Sequence, residues 1–123
     1  MIGTQCFVDA AWNAGTRGGG FGCIFKDMNN STFHHHSSNR SFVGSAFAAE
    51  ALAAKAALQV AVTLGTRMLA VWSDSKPLVL AISLNAKVVE AQGTLFDISQ
   101  LCNNFVSIFS LMFQGYSTLK LIL

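Results

Sequence analysis

Acidic residues are scarce in this 123-residue chain: six Asp and Glu against eight Lys and Arg, with charged residues at 11%. Soluble domains ordinarily carry about 25% charge. Proline occurs once and cysteine three times, as Cys6, Cys23 and Cys102. Three widely spaced thiols exclude a disulfide framework and a CxxC metal site, leaving core thiols in a reducing compartment. No basic, apolar leader opens the sequence, because Asp9 interrupts MIGTQCFVDAAW early. No uncharged apolar run of about 18 residues occurs either, since Ser107, Ser110, Gln114, Gly115, Ser117, Thr118 and Lys120 break up the C-terminal stretch. The expectation is an intracellular domain with no membrane segment. A net charge of +2 neither requires nor excludes a nucleic-acid partner.

What is present is apolar bulk: 52% hydrophobic residues with ten Phe, enough for one buried core and too short for two domains. Cys6–Trp12, Phe21–Asp27 and Thr32–Ser38 read as three strands joined by the turns NAGTRGGG and MNNS, an antiparallel meander. Ser45 to Leu64 reads as a helix stopped by Gly65. MLAVWSDS (Met68–Ser75) is a fourth strand, expected to be covered on both faces. Ser75 can cap a short helix through Ser83 with Pro77 in its first turn. A linker from Leu84 to Thr94 precedes a helix over Leu95–Asn104, and FVSIF supplies a last strand. The order βββαβααβ implies an α/β fold with a mixed five-stranded sheet and helices packed on it.

Three carboxylates stand where packing alone would not put them. Glu50 lies opposite the polar stripe Lys55, Gln59 and Thr63, among Ala46, Phe47, Ala53 and Ala54, so it is aimed at the sheet. A buried, unpaired carboxylate costs several kcal/mol, which calls for a cation. The alternative is a helix-start acid held by the dipole. Asp9 sits inside an apolar strand, where Asp is rare unless the strand is an exposed edge. Asp74 ends the fourth strand, at the carboxyl end where α/β sheets bind ligands, or else serves as a cap. If the three converge, their mutual repulsion calls for divalent cations. Oxygen-only ligands select Mg²⁺ or Mn²⁺, and a pair of such ions about 4 Å apart suits in-line displacement at phosphorus.

The chain CFVDAAWN, GGGFGCIFKD, AEALAAKAALQVAVTLG and VWSDS, in the order βββαβ, resembles the type-1 ribonuclease H family. The likeness is strongest to the ribonuclease H-like domains of plants associated with non-LTR retrotransposon reverse transcriptases, and it covers residues 5–109. The resemblance implies a Mg²⁺-dependent or Mn²⁺-dependent ribonuclease with two ions and with Asp9, Glu50 and Asp74 as metal ligands. It implies a monomer that cuts the RNA strand of RNA–DNA hybrids by recognising groove shape and 2′-hydroxyls. Two departures stand out. Ala10 replaces a frequent Gly, and no Asp follows Asp97 where the family carries a fourth carboxylate in a V-P-R-x-x-N-x-x-A-D-x-L-A segment. The family's last helix is therefore expected to be missing. With suitable codons, another frame of Ser110–Leu123 spells V-S-R-L-F-N-A-E-A-D-S, so residues 110–123 read as an out-of-frame tail or, failing that, an ordinary divergent strand. The enzyme's alternative is a degenerate nucleic-acid-binding remnant.

The remaining candidates read as ordinary surface and core. His34, His35 and His36 suit a solvated strand, Arg17, Lys26, Arg40 and Lys76 are scattered charges that could meet phosphates, and Trp12 and Trp72 suit the core.

Overall fold

The computed structural model describes residues 3–113 and 116–122, with side chains through residue 106. Its described strands form one six-stranded sheet in the order β3-β2-β1-β4-β5-β6. These are β1 (Thr4–Trp12), β2 (Gly19–Lys26), β3 (Thr32–Arg40), β4 (Met68–Ser73), β5 (Val106–Phe113) and β6 (Tyr116–Ile122). β4 runs parallel to both β1 and β5, whereas β1–β2, β2–β3 and β5–β6 are antiparallel. The mixed sheet expected from sequence is present, with one strand more than the expected five. β6 takes up part of the tail, and no helix follows residue 102 among the described residues.

Local chemistry sets the turns. Asn13 Oδ1 accepts the amides of Gly15 and Thr16 at 2.8 and 3.0 Å, folding the β1–β2 connection. Asp27 Oδ1 does the same for Asn29 and Ser31 in the β2–β3 turn. β3 extends past Ser38 to Arg40, and β2 begins at Gly19, so both borders of the expected loops move by two residues.

Helix α1 (Ala46–Thr63) starts at Ser45, whose hydroxyl accepts the Ala48 amide at 3.0 Å, and stops before Gly65 at φ +75°. By length and composition α1 could cross a membrane. Here it packs on β1 and β2 and is flanked by α3 (Gln92–Cys102). Ala51, Ala54, Ala57, Ala61 and Leu58 are fully buried against Cys6, Val8, Phe25 and Val71. Alanine lets the helix axis lie close to the sheet, and Leu58 fills the space that remains. Lys55, expected on the solvent face, instead pairs with Asp97 of α3 at 2.8 Å, so α3 covers part of that stripe.

β4 departs from its expected double coverage. Leu69, Val71 and Ser73 are buried, while Met68, Ala70 and Trp72 are only half-buried. β1 alternates likewise, with Cys6 and Val8 buried and Asp9 exposed. One face of the sheet carries the helices of the core, and the other stays open over β1, β2 and β4. The three thiols are free and buried, as the sequence led us to expect.

Candidate active site

Asp9 stands on a central strand, between β2 and β4, which corrects the edge reading. It is also exposed rather than enclosed, because it points to the open face with Phe7. Its Oδ1 accepts the amide of Ala10 at 3.0 Å. The carboxylate therefore keeps contact with water, and the cost of burial falls elsewhere.

Asp74 is placed beside it by register. β1 and β4 are parallel and pair Phe7 with Trp72 and Val8 with Ser73, so Asp9 and Asp74 are the next residue on each chain. Phe7 and Trp72 stack with ring centroids 6.1 Å apart and planes within 10°, marking the open face two residues before each acid. Asp74 follows the end of β4 and is flanked by two buried serines. The Ser73 hydroxyl accepts the Ser75 amide at 3.1 Å, and the Ser75 hydroxyl accepts the Leu78 amide at 3.4 Å. Ser75 thereby caps α2 (Lys76–Ser83), and Asp74 is left exposed with no capping duty.

Glu50 comes from α1, past its first turn, which holds no acidic residue; the dipole account of its position does not apply. It is half-buried, and burial is the main reason its carboxyl is pushed up to about 7, with Asp74 and then Asp9 adding repulsion. Among the described residues, Lys55 with Asp97 is the one ion pair, so no protein cation offsets this charge. Asp74 and Asp9 thus both bear on Glu50, yet no group of three His, Cys, Asp or Glu among the described residues is gathered closely enough to hold an ion. The donor set is carboxylate oxygen throughout, which suits a hard divalent cation. Accumulated negative charge without an internal partner fits the same kind of ion.

An open cleft of about 530 Å³ lies over this face, lined by Asp9 and Asp74, Gly22 and Ile24 of β2, and His35, His36 and Ser37 of β3. Glu50 lies outside that lining. Two of the three histidines, read from sequence as solvated surface, therefore share a wall with the acids. The signal was available only through strand register, which aligns Asp9 with Gly22 and Gly22 with Ser37. His34 instead packs its ring 5.8 Å from Phe25. Lys26 lies over the Phe7 ring at 5.2 Å, engaged on the open face rather than free. Trp12 is half-buried and donates its indole N–H to Val43 O at 2.9 Å.

The family described as reverse transcriptase-like matches residues 7–113. No curated protein matches the chain. Solved structures do. Ribonuclease H1 from the halophilic archaeon Halobacterium salinarum aligns with a TM-score of 0.77 at 14% identity, over 88% of this chain and 82% of that one. The N-terminal RNase H domain of a Mycobacterium tuberculosis protein, solved as a fusion with maltose-binding protein, gives 0.74 at 20% identity over 85% and 81%. LC11-RNase H1, obtained from compost by a metagenomic approach and solved with an RNA/DNA hybrid, gives 0.75 at 18% over 86% and 83%. At these identities the likeness establishes the fold.

Proposed function

The chain belongs to the reverse transcriptase-like family and has a ribonuclease H-like fold, and on that premise we propose that it binds RNA–DNA hybrids and hydrolyses their RNA strand. The observation that carries this reading is the register that sets Asp9, inside β1, beside Asp74, just past the end of the parallel β4, with Glu50 close enough to be perturbed by both. A neighbour of the same fold was solved with an RNA/DNA hybrid, which supports the substrate class. Asp9, Glu50 and Asp74 would hold Mg²⁺ or Mn²⁺, two ions by the family's example. Bound there, the metal supplies Lewis acidity for an in-line displacement at phosphorus.

The chain's own residues do the rest. Asp9 and Asp74 present oxygens from a rigid sheet, and the buried serines on either side of Asp74 fix its backbone. Glu50, pushed up to about 7, is poised to give up its proton as a cation arrives. The open face leaves room for a double-stranded ligand beside the acids. The proposal extends to an intracellular site of action and to an origin among plant non-LTR retrotransposon sequences, which the motifs quoted above resemble. The tail beyond residue 109 reads as an out-of-frame segment; a transcript unable to spell V-S-R-L-F-N in another frame removes that idea.

A second reading is favoured by two facts: no acid follows Asp97, and the three carboxylates do not form a ready ligand group. In it the domain binds hybrids and does not cut them. A labelled hybrid incubated with the protein and Mg²⁺ or Mn²⁺ separates the two. Cleavage by the wild type that falls in Asp74→Asn by more than the roughly 10–100-fold that changes around a metal's ligands already cost supports the nuclease. Cleavage that survives the substitution sinks the site. Binding without cleavage selects the second reading.

A further inference from the structure

The two edges of the sheet differ in how they are protected. β3 closes one side with Thr32–Arg40, apolar only at Phe33, carrying His34, His35, His36 and Arg40. It is set against β2 with a register shift at Phe25 and Lys26. Polar, charged and bulged edges are the ordinary defence against pairing with another chain. β6 closes the other side with little of that defence. Tyr116–Ile122 holds no Pro, Gly, Asp or Glu and one charge, Lys120, and pairs with β5 through all 7 residues without a shift. Among the described residues no strand lies beyond it, and its neighbour α2 belongs to the helix-covered face. In an antiparallel pair the backbone groups of alternate residues point away from the partner, so about three or four N–H groups of β6, and as many carbonyls, face outward in a row. Such a row selects an extended strand.

We propose that β6 pairs with the β6 of a second copy of this chain, antiparallel and centred on Leu119, to form a dimer. Every copy carries the same edge, so the partner is present wherever the chain is. Leu119 is the midpoint of Tyr116–Ile122, and this register overlaps the whole strand. It sets Tyr116 against Ile122 of the second copy, Ser117 against Leu121, and Thr118 against Lys120. Like charges directly opposite are destabilising, and here each Lys120 faces a threonine. Centring on Lys120 would oppose the two ammonium groups and shorten the overlap, so charge and length choose the same register. Full overlap supplies about six to eight backbone hydrogen bonds between the copies. Pairing like edge with like is isologous and closes at two copies. Pairing β6 with β3 would leave free edges for further copies, and the polar, shifted edge of β3 opposes it. The resemblance implied a monomer; the tail, where the family pattern stops, is what supplies this edge.

Sedimentation velocity of the full chain over a series of concentrations tests the pairing. The wild type is expected to move with rising concentration from the 13.1 kDa of one chain to twice that mass. In this register residue 119 meets its own counterpart. Leu119→Lys alone and Leu119→Glu alone should therefore each stay monomeric, whereas an equal mixture of the two should regain the doubled mass. Regained pairing also shows that both variants keep their fold. Thr118→Glu probes the register by gain: it faces Lys120 on both sides of the two-fold axis and should tighten the dimer by roughly 2–30-fold. A wild type that keeps the mass of one chain at every concentration overturns the dimer. A dimer that neither Leu119 substitution weakens also overturns it, because the contact then lies elsewhere. A mass that climbs past two copies does the same, since that is the mark of β6 on β3. Association unchanged or weakened in Thr118→Glu overturns the register, and the proposal with it.

Discussion

The two faces of the sheet are built on opposite terms. On the helix-covered face, Cys6, Val8, Phe25 and Val71 meet an alanine-rich α1, and nearly every contact is apolar and closed. On the open face, one residue out of step, the same strands carry Phe7, Asp9, Ile24 and Trp72, half-buried or exposed. A period of two lets one strand serve a dry core and a wet site at once. The covered face supplies stability and thereby holds the open face still. Charge repulsion is tolerated on the open side because water reaches it.

That contrast can be broken from the covered side first. Leu58 is fully buried beneath the sheet, and Leu58→Ala should cost about 2–5 kcal/mol of unfolding free energy, measured by urea titration. A loss below about 1 kcal/mol would mean that the alanine layer collapses onto the gap. Ser75→Ala probes the seam between the faces. Losing its cap should cost about 1 kcal/mol and should lower hybrid cleavage together with stability, because Asp74 loses the turn that presents it. Cleavage unchanged in a destabilised Ser75→Ala protein would show that Asp74 is held by β4 alone.

The smallest effect has the opposite sign. Glu50 binds its proton more tightly when folded, at about 7 against the ordinary 4.5 of a glutamate, so folding is opposed once the group ionises. Its cost is therefore full above pH 7, shrinks as pH falls, and is gone below about 4.5. Glu50→Gln should raise stability above pH 7 by up to roughly 1 kcal/mol, the figure being reduced by the solvent that reaches this half-buried group. The gain should fade on acidification, as thermal melts across that range will show. A gain independent of pH would mean that Glu50 is strained by packing rather than by charge.

Much of this was legible in the chain itself. Ser45 and Gly65 bracket α1 because capping and left-handed backbone are local properties. Glu50, Asp9 and Asp74 stood out because a carboxylate in apolar surroundings is conspicuous at any range. The placement of His35 and His36 beside the acids was not legible, because it depends on counting residues across two turns of irregular length. Strand borders at Gly19 and Arg40 were missed for a related reason: glycine and polar residues look like loop until a neighbouring strand supplies their hydrogen bonds.

By itself, then, the sequence determined the order of elements, the caps and the identity of the three acids, all of which follow from short-range periodicity and side-chain chemistry. Only the tertiary structure decided which face of the sheet stays open, that Asp9 is wet while Glu50 is half-buried, and that β3 lines a cleft with Asp9 and Asp74. Those facts depend on which strands pair and in what register. Pairing is a choice among distant segments, made by the whole core when it closes.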